Sequence, residues 1–182
     1  VPTLKETTPI LDCINIPNIQ EIDTNATGGK YFFEDYKQNE RLNHIESITV
    51  DDSDLTLATK LYQNNAKVHF NNHMMKKTLI GQRLIYGGII ISLARTISFN
   101  GLQNAQSIYA INSENHCNAT YAGDTIYAYT EVLETISHKR EDLGFLRLRT
   151  IALKNKTPNE IENTKDESGK SLPIIPTCEH FA

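Results

Sequence analysis

Gly88-Ile89-Ile90-Ile91-Ser92-Leu93-Ala94-Arg95-Thr96-Ile97-Ser98-Phe99 is apolar on nearly every face. A helix of that kind belongs in the middle of a fold rather than on its surface. Just beyond it, after Gly101, the apolar period changes from helical to two. Ala105 to Asn112, Thr125 to Ser137 and Gly144 to Lys154 then read as strands rich in Ile, Tyr, Thr, Val and Leu. Gly123-Asp124 and Asp142-Leu143-Gly144 are turn formers near their ends. Upstream, Arg41 to Val50 alternates loosely and is predicted as one more strand. Asp51-Asp52-Ser53-Asp54 supplies an N-cap and negative charge for a helix with Leu55, Ala58, Leu61 and Tyr62 on one face. Gln63-Asn64-Asn65 ends it, because asparagine tolerates the left-handed backbone of a helix terminus. A short helix is expected over Phe70 to Lys77 and a turn over Gly81 to Tyr86. The order of elements predicts an α+β fold, an antiparallel sheet wrapped around one long central helix.

Residues 1–30 read as a linker or tether, broken by Pro2, Pro9 and Pro17 and closed by Gly28-Gly29; residues 31–182 read as the domain. The chain begins at Val1 rather than Met, which points to a start other than the encoded one. Lys154 to Ser171 is polar and reads as a mobile loop, and Ile174-Ile175 starts a further apolar segment.

The formal charge of −4 is spread through the chain, so no basic surface for nucleic acid is expected. No apolar run reaches the roughly 20 residues that span a bilayer. Cys13, Cys117 and Cys178 are scattered and form no Cys-x-x-Cys pair, which favours a reducing, cytoplasmic setting.

Chemistry enters with Leu61-Tyr62-Gln63-Asn64-Asn65-Ala66-Lys67-Val68-His69-Phe70, a polar loop carrying a histidine ahead of Gly87-Gly88. A base near unpaired helix N-terminal amides is what proton transfer beside a carbonyl requires. His69 is either that base or a loop histidine that bonds a carbonyl. Gly87 and Gly88 expose amides to an anionic oxygen, allow close packing, or do both. His69 and His73 are four apart, yet Phe70-Asn71-Asn72 between them offers no metal-site glutamate, so no metal is expected. Arg95 on the apolar helix needs an anionic partner, either an acid such as Asp124 or Glu131 or an anionic group of a ligand. His44, His116, His138 and His180 carry no signature and are expected on the surface or in strands.

Further blocks carry a family likeness: Tyr31-Phe32-Phe33-Glu34-Asp35-Tyr36, Ala58-Thr59-Lys60-Leu61-Tyr62-Gln63-Asn64, Leu84-Ile85-Tyr86-Gly87-Gly88, Ser98-Phe99-Asn100-Gly101-Leu102 and Ala122-Gly123-Asp124-Thr125. With Ala66-Lys67-Val68-His69-Phe70-Asn71 they cover most of residues 31–154. The pattern resembles the MaoC-like hotdog dehydratases, and within them the C-terminal half of the mesaconyl-CoA hydratases, also called β-methylmalyl-CoA dehydratases. The resemblance implies a hotdog fold and reversible hydration of an enoyl-CoA such as mesaconyl-CoA. It implies no metal or redox cofactor, coenzyme A being part of the substrate. His69 and Asn64 are then catalytic, Gly87 and Gly88 bind the thioester oxygen, and Tyr86 and Arg95 bind substrate. MaoC hydratases carry an aspartate five residues before the histidine, where this chain has Asn64. Asparagine can orient a water but cannot accept a proton. A thioesterase, or a non-catalytic half kept for assembly or acyl-CoA binding, stays open. A half without its mate exposes an apolar face, so a homodimer or a complex with a second hotdog half is expected.

Overall fold

The computed structural model describes residues 23–161 and the backbone of the strand Ile174–Phe181. The expected linker lies outside the described residues as far as position 22. Its last stretch is fastened to the domain. Asp23 caps the one-turn helix α1 (Thr24–Thr27), and Thr27 Oγ1 donates to Asn104 Oδ1 at 2.8 Å.

The frame is a six-stranded sheet whose strands all pair antiparallel. In chain order these are β1 (Arg41–Asn43), β2 (Ile48–Thr49), β3 (Ala110–Asn115), β4 (Thr125–Ser137), β5 (Gly144–Lys154) and β6 (Ile174–Phe181). Their order across the sheet is β1-β4-β5-β6-β3, with β2 also paired to β4. β4 and β5 run over the residues expected of them.

The long helix α5 (Gly87–Ile97) packs Ile89, Ile90, Ala94 and Ile97 against Ile126 and Ala128 of β4 and Ala152 of β5. Ala128 faces Ala152 across the two strands, so the sheet offers methyl groups where the helix comes closest. Ser92 and Thr96 on the other side are exposed, and each hydroxyl donates to the carbonyl four residues back. The helix expected to be apolar all round is therefore one-sided in this chain. Helix α2 (Asp52–Tyr62) adds Leu55 and Ala58 to the same core. Leu61 and Tyr62, expected on that buried face, are exposed instead, since the helix turns them away over its last turn.

On the far side of the sheet Tyr129, Ile151 and Leu153 are covered by Ile161. Part of the polar loop after β5 is thus packed down. Arg41 stacks 3.9 Å from the Tyr129 ring centroid and donates to the carbonyls of Ile161 at 2.8 Å and Pro158 at 2.7 Å. No helix among the described residues is long and apolar enough to cross a membrane.

The single strand expected over Arg41 to Val50 is broken by residues 44–47. His44, expected at the surface or in a strand, is buried at the break. Its Nδ1–H donates to Asn100 O at 2.9 Å, and Nε2 accepts from Thr130 Oγ1 at 2.8 Å. Thr130 Oγ1 in turn lies 3.0 Å from Thr150 Oγ1.

Burial pushes the His44 imidazole below its ordinary pKa of 6.5, and nearby Arg95 pushes the same way, against the bond to Asn100. The folded state therefore holds His44 neutral where the unfolded chain has begun to take up a proton. Its stability contribution is complete above the unfolded value and is lost as pH falls from there through the folded one. Urea midpoints taken from about pH 7.5 down to about pH 5.5 should fall in the native chain and fall less in His44→Gln. Equal falls would disprove the assignment.

Candidate active site

The site grows from how α2 ends. Gln63 takes the left-handed conformation (φ 52°), and Asn64 Oδ1 accepts from Ala66 N–H at 3.0 Å. That turn launches the single-turn helix α3 (Lys67–Phe70), which carries His69. A second single turn, α4 (Asn72–Met75), follows after Asn71. The one helix expected over Phe70 to Lys77 is thus two short pieces, because Asn71 (φ −94°, ψ 83°) breaks the backbone and caps α4 through Met74 N–H. The break also separates His69 from His73, so their spacing of four does not place them on one helical face. Among the described residues no three His, Cys, Asp or Glu side chains converge as metal ligands.

One bond holds the imidazole and two more fix the backbone around it. Leu84 N–H donates to Val68 O at 3.2 Å, His69 Nδ1 lies 2.9 Å from Leu84 O, and Ile85 N–H donates to Thr120 O at 2.8 Å. A carbonyl oxygen only accepts, so Nδ1 carries the hydrogen, and in the neutral ring Nε2 keeps its lone pair. Tyr86 meets the His69 ring edge-on, centroids 5.6 Å apart.

Immediately after Tyr86 comes the N-terminus of α5. Tyr86 provides no side-chain cap. The N–H groups of Gly87 and Gly88 meet no acceptor among the described residues, as first-turn amides have none within the helix. They point positive helix-end charge at whatever binds there. At both positions a side chain would displace a neighbouring ring. A Cβ on Gly88 would lie 2.6 Å from a Tyr86 ring carbon, and one on Gly87 would overlap the His116 ring.

These groups share a cavity of about 530 Å³ lined by His69, Leu84 to Gly88, Ile90, Glu114 and the run from His116 to Thr120. The structure therefore brings His69, Tyr86, Gly87 and Gly88 together. Asn64 and Arg95 do not line this cavity. Arg95, half-buried further along α5, donates to Ser98 Oγ at 3.2 Å, and burial lowers its pKa. The acids considered as its partners are engaged elsewhere: Asp124 with Lys154 and Asn155, Glu131 with Arg149.

Three lining groups had no signature. His116 Nε2 contacts the Glu114 carboxylate. Thr120 Oγ1 is buried with no hydrogen-bond partner. Glu114 and His116 are two apart at the end of β3, a spacing that puts both on one side of an extended chain. The strand expected there stops at Asn112, which hid the pairing.

With this geometry in view, the comparisons with known proteins fall into place. Residues 33–164 match the family described as mesaconyl-CoA hydratase. The chain belongs to that family. It is 43% identical over 178 residues to the β-methylmalyl-CoA dehydratase of Chloroflexus aurantiacus, covering 96% of this chain and 50% of that protein. It is 44% identical over 155 residues to the mesaconyl-CoA hydratase of Cereibacter sphaeroides, covering 85% of this chain and 44% of that one. The chain thus spans about half the length of the curated relatives it matches. Among solved structures, a MaoC domain protein and candidate dehydratase from Chloroflexus aurantiacus superposes with a TM-score of 0.90 at 38% identity, covering all of this chain and 52% of that one. Rv0216 of Mycobacterium tuberculosis, a double hotdog protein, superposes with a TM-score of 0.54 at 21% identity, over 80% of this chain and 39% of its own, which supports the hotdog fold.

The two glycines make separable predictions. Gly87→Ala should shift the His116 ring resonances in histidine-labelled NMR spectra, whereas Gly88→Ala should disturb Tyr86 and leave His116 nearly in place. Both should melt within a few degrees of the native chain, since alanine is about 1 kcal/mol better than glycine inside a helix. Identical spectra for both would contradict the contacts.

Proposed function

We propose that this chain is the catalytic C-terminal half of an acyl-CoA hydratase/dehydratase. The reaction is reversible addition of water to an enoyl-CoA of the mesaconyl-CoA type, giving the β-hydroxyacyl-CoA. One observation carries the reading. His69 is held through Nδ1 by Leu84 O, with Nε2 available, in the same cavity as the unpaired amides that open α5.

In this scheme the thioester oxygen lies at the Gly87 and Gly88 amides. Nε2 of His69 takes a proton from water as its oxygen bonds to the β-carbon. The electron pair of the double bond moves toward the carbonyl, and the enolate charge is met by the helix N-terminus rather than by bulk water. A proton then returns to the α-carbon. Tyr86, between His69 and the glycines, walls the acyl pocket. Asn64, which does not line the cavity, is assigned to orienting water through its amide hydrogens and the Oδ1 lone pair that Ala66 N–H leaves free. Arg95, which meets no carboxylate among the described residues, is assigned to an anionic group of the ligand. No metal or redox cofactor takes part, and coenzyme A enters as part of the substrate. Comparison with the longer relatives supports a homodimer or a second hotdog half as the partner. Leu57, Leu61 and Tyr62 on α2, all more than half exposed, are apolar surface for such a contact.

Mesaconyl-CoA is the test substrate. Loss of enoyl absorbance with the thioester intact is the expected result. Release of free CoA would make the protein a thioesterase, and no change would make it a binding or assembly half. His69→Ala should lower kcat/KM by about 100-fold or more at an unchanged melting temperature. Arg95→Met should raise KM.

A further inference from the structure

The hydration scheme leaves its second proton unassigned. His69 accepts one from water, and the α-carbon must receive another. In MaoC enzymes an aspartate stands where this chain has Asn64, which takes no proton and is committed through Oδ1 to the turn before α3. The cavity itself contains another acid–base group. Glu114 and His116 line it together with His69, from the β3 side rather than from the α3 loop.

His116 is more exposed than His69 but, like it, is held at one ring nitrogen. Its Nε2 meets the Glu114 carboxylate, which accepts only, so Nε2 bears the hydrogen in that contact. The ring packs on Gly87, where even a methyl group would overlap it: a Cβ built there lies 2.5 Å from Nε2 and 2.8 Å from Nδ1. Both ring nitrogens thus lie at the first residue of α5, beside the amides assigned to the thioester oxygen, and Nδ1 is the one that Glu114 does not use. The α-carbon is one bond from the thioester carbonyl carbon. Buried and without a partner, Thr120 Oγ1 adds a hydrogen-bonding group to the same wall.

We propose that His116, oriented by Glu114, is the catalytic acid that delivers the proton to the α-carbon, while His69 works only on water. This rests on the hydratase reading above. The water oxygen bonds to the β-carbon, and the π pair becomes the enolate. That pair then forms a bond to the hydrogen on Nδ1 of the His116 imidazolium, leaving His116 neutral. His69 releases the proton it took to solvent, and His116 regains one from solvent. One water is consumed, and no net charge or electron is gained or lost. In the dehydration direction His116 removes the α-proton. Glu114 acts through His116 and is a positioning residue.

A saturated acyl-CoA in deuterated water isolates this step, because it exchanges its α-hydrogen with nothing to eliminate. The full chain is incubated with such a thioester and exchange is followed by mass spectrometry, alongside mesaconyl-CoA hydration. The proposal expects H116Q to lose both exchange and hydration by about 100-fold while KM moves little. E114Q should lose part of the exchange, with E114D restoring some of it and altering the pH profile. H69Q should lose hydration far more than exchange. Circular dichroism confirms that each variant is folded. Exchange at the native rate in H116Q, equal loss of exchange in H69Q, or native hydration without any exchange overturns the role of His116 and leaves the hydratase standing. A native chain that neither hydrates nor exchanges any enoyl- or acyl-CoA overturns both.

Discussion

The contact on which the rest depends is the seating of α5 on β4 and β5. A helix approaches a sheet closely only where the side chains between them are small, and Ala128 opposite Ala152 provides that place. With Ile89, Ile90, Ala94 and Ile97 turned inward, the rotation of the helix is no longer free. Its first residues, Gly87 and Gly88, are then set in one direction at the cavity, and Ser92 and Thr96 in the other. The chemistry needs that rigidity, because an amide stabilises charge only if it is already aimed where the charge develops.

Around α5 the fold repeats one device. A histidine is held at one ring nitrogen by a group that only accepts, which decides what its other nitrogen can do. His69 uses Leu84 O, His116 uses the Glu114 carboxylate, and His44 uses Asn100 O. Outcomes differ because surroundings differ. His44 has both nitrogens satisfied and is buried, so it is a structural strut beneath the sheet. The other two face the cavity and keep one nitrogen for other work.

Legibility in the sequence followed how local the causes were. β4 and β5 were readable to the residue because alternation, flanking glycine or asparagine and length all agreed, and α5 differed only by its ends. Where a distant partner decides, the reading slipped. β3 starts at Ala110 rather than Ala105 because its ladder is formed with β6 near the C-terminus. The β1–β2 break exists because His44 finds Asn100 and Thr130, which no local pattern announces. In the site, His69 and the glycine pair stood out through spacing and family likeness. Glu114, His116 and Thr120 did not, since only the folded chain carries the end of β3 across to Gly87.

The outer side of α5 completes the physical picture. Ser92 and Thr96 are polar residues on an otherwise largely apolar helix, yet their hydroxyls are spent on carbonyls of their own helix. A hydroxyl satisfied in that way asks little of its surroundings and can be covered at small cost. The same helix that buries its aliphatic side in this half therefore presents a second side that tolerates either water or a neighbour. Covering that side would require no change in how the N-terminus of α5 faces the cavity.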